Sequence, residues 1–219
     1  MLREFIKTLH KSTKRNYIHR MVNEKAKCMK IAKNFSKSYW DGSKKYGYGG
    51  YKYIEGRWSK LALDLIKCYR LNNDSNILDI GCGKGYLLFE IKKILPNVRI
   101  FGLDISQYAI KNSKIEIREN IFIHDIKNKT KFSDHYFDLS ISLNCLHNLQ
   151  IFNLKKAIDE INRISKNSYI VVESYRNEKE LFNLQCWALT CESFFDVDEW
   201  QWMFKKLNYK GDHEFIFFE

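Results

Sequence analysis

"SNILDIGCGKGYLLFEIKK", residues 75–93, runs from an apolar stretch through three glycines in five residues into a helical pattern. The ligand such a turn serves decides the fold. The glycines, Gly81, Gly83 and Gly85, follow G-x-G-x-G, with Asp79 two residues ahead of the first. Dinucleotide enzymes use G-x-G-x-x-G and triphosphate loops use G-x-x-x-x-G-K-[ST], and neither pattern is present. Glycine permits positive φ and close approach of backbone to ligand. A pyrophosphate would seek the helix N-terminus alone. An acid beside the turn instead suits a ligand with a cationic amino group.

Working outward, strand-like runs recur at 76–80, 98–103, 120–124, 137–143 and 168–173. Helical patterns cover 84–95, 106–117, 153–164 and 196–207, the first stopped by Pro96 and Asn97. Strands alternating with helices predict an α/β, doubly wound, parallel sheet with helices on both faces. "HEFIFFE", 213–219, reads as a last strand behind the turn Lys210-Gly211-Asp212, and entry through a tight turn predicts that it runs antiparallel. Asp104 ends the second predicted strand, 19 residues after Gly85, where a carboxylate can accept two ribose hydroxyls. Asp125 ends the third and can accept from an adenine amino group. An isolated acid at a strand end is commonly a helix N-cap. Three at successive strand ends converge on one crevice.

These residues resemble the class I S-adenosylmethionine-dependent methyltransferases, over roughly residues 58 to 175 and more loosely to the C-terminus. "ILDIGCGKG" is similar to that family's first motif, "GLDIS" to its ribose-binding segment, "HDI" to its adenine-side segment, and "FDLSISLNCLHNL" and "YIVVE" to its fourth and fifth strands. The resemblance implies a Rossmann-like, mostly parallel seven-stranded sheet, its sixth strand abbreviated around "NYKGD" and its last antiparallel. It also implies that Asp79, Gly81, Cys82, Gly83 and Gly85 hold the methionine part of S-adenosylmethionine, Asp104 with Ile105 the ribose side, and Asp125 with Ile126 the adenine. Asn144, at the end of the fourth strand, completes the implied cofactor set, and the product is S-adenosylhomocysteine.

Methyl transfer asks the protein to align acceptor, methyl and sulfur, with a base where the acceptor keeps its proton. His147 either serves as that base, its unperturbed pKa lying near neutrality, or lines the pocket without moving a proton. Glu173 and Tyr175 follow the fifth strand as further catalytic candidates. Arg176 either pairs with an anionic acceptor group or belongs to a surface ion network. Trp187 lies in "NLQCWALTCESFF", residues 183–195, an insertion that in the family often lines the acceptor pocket.

Ahead of the motif, residues 1–57 form a separate segment, leaving 58–219 as the catalytic domain. Residues 1–60 hold 16 Lys or Arg against four Asp or Glu, so the whole excess behind the net charge of +11 lies there. That charge fits a solvated helical face over 2–37, or an RNA-binding surface. "YGYGGYKYIEGRW", residues 46–58, interleaves glycines with tyrosines and predicts a lid, with Tyr46, Tyr48, Tyr51 and Arg57 as its substrate-side candidates. The expected reaction is methyl transfer to an oxygen or nitrogen of a small polar metabolite; RNA methylation through the basic segment, or a non-catalytic cofactor-binding role beside a partner protein, are the less favoured alternatives. Six cysteines without a C-x-x-C pair argue against zinc and disulfides. With no metal, no apolar run long enough to span a membrane and no signal-like N-terminus, the expected compartment is the cytoplasm.

Overall fold

The computed structural model describes residues 1–11 and 15–219, Thr8 by its backbone alone. Six strands form one sheet: β1 (Asn76–Ile80), β2 (Arg99–Asp104), β3 (Ile121–Ile123), β4 (Leu139–Leu143), β5 (Ser168–Glu173) and β6 (Asp212–Ile216), in the order β3-β2-β1-β4-β5-β6. The order reverses between β1 and β4, which opens a crevice at their C-terminal ends.

Helices α1 (Lys7–Lys11), α2 (Tyr17–Val22), α3 (Lys25–Ala32) and α4 (Lys37–Trp40) precede the sheet. They are followed by α5 (Ser59–Cys68), α6 (Tyr86–Ile94), α7 (Gln107–Lys111), α8 (Ile151–Ile164), α9 (Glu178–Trp187) and α10 (Val197–Lys206). Strand residues alternate between two apolar layers. Ile77, Ile100, Tyr169 and Val171 pack with Leu65 of α5, Leu88 of α6 and Leu184 of α9. Leu78, Leu103, Ile170 and Val172 pack with Ile158 of α8 and Trp200 of α10. Both faces are therefore covered, which explains the near-continuous apolar run of β5.

Two expectations are corrected. The sheet has six strands where seven were expected, because residues 207–211 form the turn into β6 and no strand of their own. And β6 runs parallel to β5, with Tyr169 opposite Asp212 and Glu173 opposite Ile216. The tight turn joins a helix to a strand. A strand reached through α9 and α10 is a crossover, and crossovers return parallel.

The helix expected over 2–37 is broken into α1, α2 and α3, with α4 beginning only at its last residue, and its residues 12–14 lie outside the described residues. Leu2 forms a parallel bridge to His213, and the Glu214 carboxylate, 2% exposed, accepts from the N–H groups of Phe5 (2.6 Å), Ile6 (3.0 Å) and Lys7 (3.1 Å). Further on, Lys25 donates to the carbonyls of Cys186 and Ala188, and Arg20 to that of Trp187. These cations satisfy the C-terminal end of α9. No helix among the described residues is long and apolar enough to cross a membrane.

Candidate functional site

The glycine turn leaves β1 into the crevice. Gly81 and Gly83 have φ of 73° and 56°, and a Cβ on either would collide, at 2.6 Å with Cys145 and at 2.7 Å with Trp40. Only glycine meets both demands there. Gly85 and Cys82 face inward instead, toward Ile117 and Ile121 and toward Gly102.

Asp79 is 4% exposed and has no hydrogen-bond or ion-pair partner among the described residues. Burial, and secondarily Asp104, push its carboxyl up to about 7. Asp104 accepts from Gly83 N–H and Ser106 N–H, each at 2.7 Å. Burial raises its pKa, and those two donors oppose the rise. Asp125 pairs with Lys127 at 2.8 Å.

A cavity of about 130 Å³ has Gly81, Asp104, Ile105, Asp125, Ile126 and Asn144 on its sheet side. Asn144 holds φ of 54°, in the left-handed region that asparagine tolerates better than most residues, and its Oδ1 is buried without a partner among the described residues, as is Asn148 Oδ1. A lone carboxylate buried just behind Gly81 and two orphaned acceptors in the crevice ask for a ligand with cationic and N–H donor groups. The ammonium and adenine amino group of S-adenosylmethionine meet that demand, so these residues fit the cofactor. Because Asp79 must be ionised to hold an ammonium, affinity should fall with pH through about 7. We expect binding about tenfold weaker at pH 6 than at pH 8 by calorimetry, with the dependence flattened in Asp79→Asn.

The other wall of the cavity is aromatic: Phe35, Tyr39, Trp40 and Tyr48. Trp40 stacks on Tyr48 with centroids 5.3 Å apart, and its indole N–H lies 2.8 Å from Ser106 Oγ. Beside it, Asp41 accepts from Lys84 Nζ at 2.7 Å and from the Tyr108 hydroxyl at 2.9 Å. Burial would raise the Asp41 carboxyl, but Lys84, Tyr108 and the Tyr51 N–H hold it below its ordinary value. Lys84 itself is 4% exposed and also donates to the Tyr51 carbonyl. The aromatic segment is thus fastened to the glycine turn and to the segment after Asp104. The cavity is smaller than the ~300 Å³ at which ligand sites usually begin, so this wall must shift to admit the cofactor. Removing the Lys84 ammonium loses its bonds to both Asp41 oxygens and to the Tyr51 carbonyl, and one charge-assisted bond alone contributes about 1.5 kcal/mol. Lys84→Met should therefore speed release of S-adenosylhomocysteine about tenfold in stopped-flow fluorescence.

Asp41, Lys84, Trp40 and Tyr108 were not among the sequence candidates. One signal was available: Asp41 is the only acid between Glu24 and Glu55, in a strongly basic stretch. Tyr51 packs on Trp40, Tyr48 and Tyr86 behind the cavity wall. Tyr46 packs with Cys28, Ala32 and Leu189, and Arg57 is exposed.

On the acceptor side, β4 and β5 are neighbours, so residues following them meet. His147, 3% exposed, accepts at Nδ1 from the Glu173 N–H (3.3 Å), and its Nε2 lies 3.5 Å from Glu173 Oε2. Burial lowers the His147 pKa, only partly offset by Glu173. The ring is therefore neutral, with its proton on Nε2 facing the carboxylate. The rings of Tyr39 and Tyr48 meet edge to face, centroids 5.3 Å apart, within electrostatic reach of Glu173; desolvation of its hydroxyl raises Tyr48 to about 12, although 46% of the residue is exposed. Cys145 is likewise pushed up to about 12 by burial and by Asp104 and Asp79, so its thiol stays protonated.

Tyr175 and Arg176 go elsewhere. They line a second cavity of about 400 Å³ between β6 and the first eleven residues, where Arg176 pairs with Glu180 and Glu219. Trp187 lies under the guanidinium groups of Arg15 and Arg20. Among the described residues no cluster of His, Cys, Asp or Glu is arranged to hold a metal.

Comparison with known proteins agrees with this geometry. No curated protein matches the chain by sequence. Among solved structures, the YcgJ protein of Bacillus subtilis superposes with a TM-score of 0.53 at 20% identity, over 67% of this chain and 66% of that one. A putative methyltransferase of Haloferax volcanii, solved with the Trm112 activator, gives 0.52 at 18% identity over 71% and 77%. The geranyl diphosphate C-methyltransferase of Streptomyces coelicolor, solved with S-adenosyl-L-homocysteine, gives 0.54 at 13% over 68% and 60%. The chain thus spans less than two-thirds of the first and third of these. They establish the fold. The family described as "Methyltransferase domain" matches residues 71–208, more than half of the chain and all of β1 through α10. With its glycine turn, its three acids and its sheet order, the chain belongs to that family, the class I S-adenosylmethionine-dependent methyltransferases.

Proposed function

We propose that the chain methylates an oxygen or nitrogen of a small polar metabolite bound between the aromatic segment and the ends of β4 and β5. One observation supports this reading: Glu173 and His147 meet at the ends of β5 and β4, and Tyr39 and Tyr48, which line the cofactor crevice, lie within electrostatic reach of Glu173. When bound, S-adenosylmethionine supplies a methyl group already activated on a sulfonium. Asp79, Asp104 and Asp125 would hold the donor. Tyr48, in electrostatic reach of both Asp104 and Glu173, would separate donor from acceptor. Trp40 and its neighbours would exclude water.

The RNA alternative draws less support, because part of the basic segment is committed to other contacts. Arg3 pairs with Asp212, Lys11 with Glu219, Lys27 with Glu24 and Lys33 with Glu192, while Arg20 and Lys25 serve α9. A phosphate footprint would leave such cations unpaired and convergent. For its compartment we take the cytoplasm, in keeping with six free thiols. The test is S-adenosylhomocysteine release with a metabolite extract against total RNA. We expect release with the extract, insensitive to ribonuclease. Release with RNA alone would overturn the proposal.

A further inference from the structure

We infer that the acceptor is an amine, held as its ammonium by Glu173, which takes its proton, and that His147 is the residue that positions Glu173. This rests on the small-acceptor reading above. Among the described residues, the strongest proton acceptor facing the acceptor side is a carboxylate. Glu173 keeps 16% of its side chain exposed, so it is reachable beneath the aromatic segment. His147 is spent as a base: its Nδ1 lone pair accepts from the Glu173 N–H and its Nε2 carries the proton. The same two contacts fix the carboxylate's place at the end of β5, aided by Trp200, whose indole N–H donates to the Glu173 carbonyl at 3.1 Å.

A carboxylate is a poor base for an alcohol, whose pKa lies about ten units above its own. For an ammonium it is first a counter-ion and then a base. Arg15, Arg20 and Lys25 of the N-terminal segment lie within electrostatic reach of Glu173. Arg20 and Lys25 are directed to backbone carbonyls at the end of α9, so they do not form a carboxylate-binding site for the acceptor. An anionic acceptor would instead meet Glu173.

The step balances. An N–H proton of the ammonium passes to the Glu173 carboxylate, leaving a neutral amine and a neutral acid. The amine lone pair forms the N–C bond to the methyl group, and the C–S bonding pair stays on sulfur.

The test uses matched probes, 2-phenylethylamine, 2-phenylethanol and p-cresol, alongside glucosamine and glucose. Two readouts are taken: calorimetric binding to the S-adenosylhomocysteine-loaded protein, and methyl transfer from S-adenosylmethionine. Binding and methylation confined to the amines are expected, with binding weakened at least tenfold in Glu173→Gln. Turnover in that variant should fall at least 100-fold. His147→Asn should lower kcat with KM nearly unchanged and shift the acidic limb of the pH profile, a shift that a merely structural role would not give. Methylation of the alcohol or phenol members, unchanged turnover in Glu173→Gln, or failure of both amines to bind would overturn the inference. Alcohol methylation would leave the small-acceptor reading standing, whereas release of S-adenosylhomocysteine with RNA alone would remove both.

Discussion

Replacing Asp104 with alanine is expected to raise the dissociation constant of S-adenosylmethionine about 100-fold. The carboxylate sits at the end of β2, 7% exposed, each oxygen already holding one backbone N–H. Each keeps a second lone pair, and the two remaining sites suit the paired hydroxyls of a ribose. Hydrogen bonds to a charged group contribute about 1.5 kcal/mol each or somewhat more. Losing two costs near 3 kcal/mol, or about two decades in affinity. The alanine variant also strips an acceptor from Gly83 N–H, so the turn itself loosens. Asp104→Asn separates the effects, because one amide oxygen still accepts from a backbone N–H. Affinity in this variant should lie between the two, with the melting temperature close to that of the parent protein. Calorimetry with S-adenosylhomocysteine provides the check. An alanine variant that binds within threefold of the parent would remove Asp104 from the cofactor site.

Asp104 is legible in the sequence because strand ends announce themselves: an apolar run stops and an acid follows. The same logic reaches Asp79, Asp125 and the β4–β5 ends, and all six strands lie within a few residues of their expected places. What escapes depends on contacts that local pattern does not encode. The direction of β6 follows from the elements that precede it, whereas the turn before it suggests a hairpin. Lys84 reads as one more surface lysine of the turn until Asp41, 43 residues earlier, is seen to pair with it. Arg176 and Tyr175 follow β5 as closely as Glu173 does, yet the chain turns into α9 immediately after them and carries both to the far side of the sheet edge. His147 and Glu173 stand 26 residues apart in the chain. Their relation, with the histidine's proton directed at the carboxylate, exists only because β4 and β5 lie side by side.

The N-terminal segment supplies the second large expected effect, on stability. Glu214→Ala should lower stability by about 3 kcal/mol, with a fall in melting temperature near 10 °C for a chain of this size. Residues 1–11 carry little apolar surface into the core beyond Ile6, 3% exposed, and packed Phe5 and Leu9. What holds them is Glu214, whose carboxylate gathers three successive N–H groups and the Tyr169 hydroxyl. Burial raises its pKa, and those four donors oppose the rise. Alanine would leave three amides of the first helical turn without their acceptor, a Tyr169 hydroxyl without its partner, and a void beside β5. The damage should stay on that side of the sheet. Asp79, Asp104 and Asp125 depend on β1 to β3, so affinity for S-adenosylmethionine should remain within about threefold. Thermal unfolding with and without cofactor measures both quantities on one sample. A variant that melts like the parent would mean that Met1 and Arg3, through Asp212, hold the segment unaided. A variant that loses cofactor affinity in step with stability would mean that the first eleven residues and the aromatic wall move as one body.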